Sequence, residues 1–202
     1  MEIKDTAEIK GIHTLTLCKA TSEVAQKTQE MIEDVRIRRE LLMKIGGNIK
    51  EELRTLWEEY RYLVGILHKY FKTQEFVVEN ITTTVGRSVL AQRLGGDVTY
   101  TGTVDYTALG DDNTGEVVGD ATLGNEVYRK ALSSGTDASN IAYLETFFTA
   151  AEDADTYEEY GMYIDGAAGA DTGQLFNRFT QTITKSNVET LNVQSVVTFQ
   201  NS

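Results

Sequence analysis

The sequence predicts an α+β protein: long N-terminal helices, forming a coiled-coil-like stalk or a helical hairpin, followed by an antiparallel β-sandwich-like domain. Two observations carry this. Apolar residues recur at three- and four-residue steps through the first third of the chain and alternate with polar ones thereafter. Charge divides at the same place. The first 75 of the 202 residues carry 13 basic and 13 acidic side chains, whereas the rest carry 6 and 18, so the whole net charge of −12 lies in the second part. The expected divisions are an N-terminal strand or arm over residues 1–20, a helical stalk or hairpin over 21–74, and an acidic β-rich domain over 75–202.

Residues 11–19 alternate as a strand. Cys18 lies in it and is expected to be a small half-buried hydrophobe rather than a nucleophile. His13, five positions away, falls on the opposite strand face, so the two do not pair as base and thiol.

The helical segment shows a narrow seam. Val24, Thr28, Met31, Val35, Leu42, Ile45 and Ile49 follow heptad spacing, as do Leu53, Leu56, Tyr60, Leu63, Leu67 and Tyr70, with a one-residue phase change between the two sets. Gly46 and Gly47 precede the change, and a glycine pair bends or ends a helix. Thr21 or Ser22 is placed to cap the first helix, and Asn48 with Glu51 the second. Charged flanks beside a narrow seam predict self-association, with a trimer favoured; the alternative is a helical pair packed on its own β domain. Trp57, Tyr60, Tyr62, Tyr70 and Phe71 are expected to wedge the helices onto that domain. His68, off the seam, is expected to face solvent.

Beyond residue 75, strands are expected at 75–79, 104–109, 141–149, 174–181 and 190–199, with weaker ones at 127–132 and 157–164. Helices are expected at 82–94, ended by Gly95 and Gly96, and from Asp120 to about Glu126. Stretches 110–115, 133–140 and 165–173 read as turns.

Four phrases in this part resemble a module of tailed-bacteriophage structural proteins, including tail-collar and tail-fibre proteins. They are Val77-Val-Glu-Asn-Ile-Thr-Thr-Thr-Val-Gly-Arg87, then Tyr106-Thr-Ala-Leu-Gly-Asp-Asp-Asn113, then Ala121-Thr-Leu-Gly-Asn-Glu-Val-Tyr-Arg129. The fourth is Tyr157-Glu-Glu-Tyr-Gly-Met-Tyr163 with Gly173-Gln-Leu-Phe-Asn-Arg178. Together they cover about 125 residues in the family's order. The resemblance implies a virion structural protein, such as a short tail, collar or baseplate fibre, with other virion proteins and a host surface receptor as partners. A capsid-side neck, connector or head decoration protein is the alternative. The order departs from the family, in which the similar domain usually precedes the fibre.

No cofactor is expected. Two histidines are too few and too separated for zinc, and neither a phosphate loop nor a nucleophile elbow is present. Asp111, Asp112 and Glu116 share a loop and are the weak candidate metal ligands. Glu158 and Glu159 are the remote candidates for a glycan-hydrolysing carboxylate pair. The acidic balance speaks against nucleic acid, no stretch is long and apolar enough to insert in a membrane, and the charged start lacks the apolar core of a secretory signal.

Overall fold

The computed structural model describes residues 7–201. Its strands form two five-stranded antiparallel sheets packed face to face, with a helical hairpin against the outside of one of them. The elements are β1 (Ala7–Lys19), α1 (Glu23–Ile45), α2 (Lys50–Phe71), β2 (Lys72–Glu79), β3 (Ile81–Thr82), α3 (Thr84–Leu94) and β4 (Val104–Gly110). There follow β5 (Glu126–Ala131), β6 (Ser134–Ala138), β7 (Ile141–Phe148), β8 (Thr156–Ile164), β9 (Gln174–Thr184) and β10 (Glu189–Asn201).

The first sheet has the order β2-β1-β10-β7-β6 and the second β3-β9-β8-β4-β5. β1 is not a peripheral arm. It lies between β2 and β10 and pairs with β10 along its full length, from Ala7 opposite Asn201 to Lys19 opposite Glu189. Leu15 and Leu17 on β1 and Val193 and Val197 on β10 face inward. They meet Tyr160, Met162, Phe176, Phe179 and Ile183 of the second sheet. That apolar layer joins the two sheets, as period-two burial requires. Residues 7–19 therefore belong to the β domain, and the helices are an insertion between the adjacent strands β1 and β2.

α1 starts where Ser22 accepts a hydrogen bond from Ala25 N, and ends at Gly46, whose positive φ is followed by another at Gly47. The glycine pair thus produces a reversal, and α1 and α2 form a hairpin joined by Arg38 and Glu59 at 2.6 Å. The second cap differs from expectation: Ile49 holds the cap position and no side chain bonds the first turn. α2 passes directly into β2 at Lys72.

α3 is capped by Thr83, which accepts from Gly86 N. Gly86 is required there, because a Cβ would stand 2.6 Å from the Phe176 carbonyl oxygen. The helix expected after Asp120 does not form. Asp120 instead accepts from Val117 N and from Arg178, which fixes a turn. Residues 134–138, read as turn, are a strand; β6 and β7 form a tight hairpin about Ser139 and Asn140, with Ser139 at φ 57°.

Candidate assembly surface and polar networks

The hairpin divides the predicted seam into a buried and an exposed part. On α2, Leu56, Tyr60, Leu63 and Leu67 are buried against the first sheet, with Ile49 and Leu53 half-buried. The Tyr60 hydroxyl donates to Asn192 Oδ1 at 2.6 Å, which fixes the helix to the central strand β10. The α2 seam is thus consumed within the chain.

On α1 the buried stripe is Ala25, Thr28, Gln29, Ile32, Val35 and Arg39. It is rotated by about one residue, roughly 100°, from the predicted seam. Val35 is buried and Leu42 half-buried, but Val24, Met31 and Ile45 are exposed, Ile45 by 77%. The rotation has a polar cause. Gln29 accepts from Ala150 N at 3.0 Å, and Arg39 donates to the Leu132 carbonyl at 3.3 Å. Glu33 and Glu152 both hold the Lys130 ammonium at 2.9 Å. These contacts turn polar residues toward the strand ends and send neighbouring apolar residues outward.

Met31, Leu41 and Ile45 fall within about 80° of one another on the helical wheel, and all are more than half exposed. Beside them, between the helices, is a groove of about 420 Å³ lined by Arg38, Leu41, Leu42, Glu52, Thr55 and Leu56. On the other flank a wider groove of about 730 Å³ has Glu30 and Asp34 on its wall. The outer end of α2 carries the opposite charge: Arg61 and Lys69 surround the exposed Tyr62 and Tyr70. Trp57 lies tilted against Tyr143 of β7 at 5.8 Å between ring centres, and Phe71 packs on the helical core. The aromatic cluster is therefore divided between docking and exposure. His68 is half-buried, and burial lowers its pKa.

The acidic residues do not gather into a metal site. Asp111 accepts from Asn125 Nδ2, Asp112 from Thr114 N and Glu116 from Thr180 Oγ1. Among the described residues no group of three potential ligands converges. Glu158 and Glu159 are neighbours in β8 and point to opposite faces. Glu159 is fully buried and bonds Arg178 and the Gly124 and Asn125 N–H groups, while Glu158 is bonded by Thr182. Cys18 is buried, and burial pushes its thiol up to about 12, which keeps it protonated and unreactive at neutral pH.

The phrases that prompted the family resemblance meet around the second sheet. Arg178 links Glu159 to Asp120, and Glu159 holds the backbone of Gly124 and Asn125. Arg129 pairs with Glu126, stacks on Tyr163 at 4.6 Å and donates to the Ala167 and Thr172 carbonyls. Thr83 donates to the Leu175 carbonyl, and Gly86 lies against Phe176. These residue types pin loops to strands, so their spacing has a structural cause. Comparison of the chain with protein-family profiles, curated proteins and solved structures gives no match.

Proposed function

We propose that this protein is a non-catalytic assembly component that associates with copies of itself through the outer face of its helical hairpin. The observation that carries the reading is the exposed apolar side of α1, with Met31, Leu41 and Ile45 beside an inter-helical groove. An apolar face of this kind on a stable domain is a docking surface or an aggregation hazard. Charge favours a second copy as its occupant. Glu30 and Asp34 flank Met31 on α1, whereas Arg61 and Lys69 flank Tyr62 and Tyr70 on α2. Neither Glu30, Arg61 nor Lys69 takes part in an ion pair among the described residues. Two different complementary patches on one chain make a head-to-tail contact, which closes into a ring when the rotation permits, and a trimer is the favoured count.

The proposed setting is a tailed-phage particle, as a tail, collar or baseplate component contacting other virion proteins or a host receptor. It rests on the four ordered phrases, several of whose residues bond one another at the second sheet, Glu159 with Arg178, Gly124 and Asn125, and Thr83 with Leu175. The α2 seam is committed to the sheet, so the assembling element is a compact hairpin face rather than a free rod.

The test is the mass in solution. The wild type is expected to form a concentration-dependent oligomer by light scattering, and Met31→Glu with Ile45→Glu to yield a folded monomer. A wild-type monomer at about 50 µM refutes the self-association. Labelling of intact particles tests the setting, and absence of the label from every virion part refutes it.

A further inference from the structure

Arg39 has more hydrogen-bonding capacity than its docking bond to Leu132 uses. Its side chain is 8% exposed, and no carboxylate reaches it as an ion pair among the described residues. Nη1 donates to the Leu132 carbonyl at 3.3 Å, and Nε makes no hydrogen bond among the described residues. Burial lowers the guanidinium pKa, yet arginine stays charged at any ordinary pH. A buried cation with most of its donors unused is costly unless an anion meets it.

The surroundings show where such an anion would sit. Arg39 lines a pocket of about 280 Å³ at the mouth of the sandwich. Its other walls are mostly apolar, with Thr103 the polar exception, and include Ala142, Leu144, Ile164, Phe176 and Val197 from both sheets. Arg39, Met43 and Thr103 also line a polar cleft of about 290 Å³. The guanidinium therefore stands at the junction of an apolar chamber and a polar entrance, the arrangement of an amphiphile site.

The charges facing it limit what fits. Glu40, Lys44, Asp105 and Asp165 line the cleft. Glu40 is held by Arg36 at 2.9 Å, Asp165 by Thr101 N at 2.7 Å and Asp105 by Gly166 N at 2.8 Å. Three acids at the entrance repel a phosphate or a dicarboxylate more strongly than a single carboxylate. For a monoanion, burial of an apolar tail in the chamber offsets the weaker repulsion.

We infer that Arg39 and the chamber behind it form a binding site for a monocarboxylate bearing an apolar group, the carboxylate on the guanidinium and the apolar group between the sheets. A free organic acid and the C-terminus of a polypeptide ending in an apolar residue share this chemistry. The site is separate from the exposed face of α1, so its failure would leave the assembly reading standing.

The experiment is calorimetric titration of the full chain with hexanoate and octanoate, and with a short peptide ending in leucine whose C-terminus is free or amidated. Octanamide is the uncharged control. The expected result is saturable binding near one ligand per chain for a free acid, a free peptide terminus or both. The matching amide should bind at least about tenfold more weakly, since it lacks the charge-assisted pair. Arg39→Met should lose binding by a similar factor, and Ala142→Leu, which fills the chamber, should abolish it with Arg39 intact. No binding of either carboxylate source overturns the inference, as does equal binding of acid and amide. Wild-type affinity in Ala142→Leu also overturns it. Should Arg39→Met fail to melt cooperatively, the amide comparison and Ala142→Leu decide without it.

Discussion

His13 provides the sharpest test of how the sandwich core responds to pH. The residue is fully buried on β1, its ring stacked on Phe179 at 4.0 Å, and among the described residues neither ring nitrogen has a hydrogen-bond partner. Burial lowers its pKa to about 3, from an ordinary value near 6.5. The unfolded chain therefore takes up a proton well before the folded chain does. Stability is unaffected above about pH 6.5, falls as the pH drops below that value, and levels off below about pH 3. Each pH unit in the window costs roughly 1.4 kcal/mol, so about 3 kcal/mol is lost between neutrality and pH 4. Glu145 acts in the opposite sense. Burial raises its pKa, so acid relieves a buried charge there, and the wild-type curve alone mixes the two. Urea unfolding of the wild type and of His13→Phe at pH 7 and pH 4 separates them, since Glu145 is common to both. The wild type is expected to lose about 3 kcal/mol more than the variant between the two pH values. Parallel losses would show that the imidazole is not held neutral by the core, and the reasoning would fail.

The remaining predictions concern the two networks that hold the hairpin and the second sheet. Ile32→Ala removes a fully buried α1 side chain from the helix–sheet core and should cost about 2–5 kcal/mol in urea unfolding; a loss below about 1 kcal/mol would mean α1 is not packed as described. Arg178→Met leaves Glu159 buried without its cation and should cost about 3–5 kcal/mol, with Glu159→Gln recovering part of it in the double variant; additive losses would deny the coupling.

Much of the fold is visible in local patterns. The alternation at 190–199 specifies β10 because Leu191, Val193 and Val197 face the core, whereas β4 is buried on both faces over residues 107–110. The glycine pair at 46–47 and Ser22 mark the ends of α1 because their conformations are local requirements. The failures occur where tertiary bonds outweigh local preference. Asp120 is a good helix cap by type, but Arg178, 58 residues away, takes its carboxylate. Ser-Gly-Thr-Asp-Ala at 134–138 has turn composition, yet β7 supplies the ladder partner that makes it a strand. Gly86 falls inside the helix expected at 82–94, while its need for glycine comes from the backbone of Phe176.

The candidate surface was half legible for the same reason. On α2 the buried positions are apolar, so hydrophobic spacing finds them. On α1 the inward stripe contains Gln29 and Arg39, and a search by apolar spacing selects Val24, Met31 and Ile45 instead, though it finds Thr28 and Val35. The seam assigned to α1 thus lies partly on its outer face. This inversion is informative. A helix whose inward stripe mixes Gln29 and Arg39 with Ala25, Ile32 and Val35, while Met31, Leu41 and Ile45 face outward, is what the proposed contact between copies would use.

Charge leads to a related conclusion. Of the six basic residues beyond residue 75, Arg129, Lys130, Arg178 and Lys185 have their side chains buried and bonded to acids or carbonyls inside the domain. Only Arg87 and Arg93 are exposed. The surface of the β domain is accordingly more one-sided than its composition suggests, because basic groups were drawn inward to satisfy Glu126, Glu152 and Glu159. Such a surface repels its own copies at close range and within a Debye length of about 8 Å at physiological salt. Contact between copies is therefore expected at the charge-balanced hairpin rather than between the acidic sheets. A partner for the sheets would be basic or would bring cations with it.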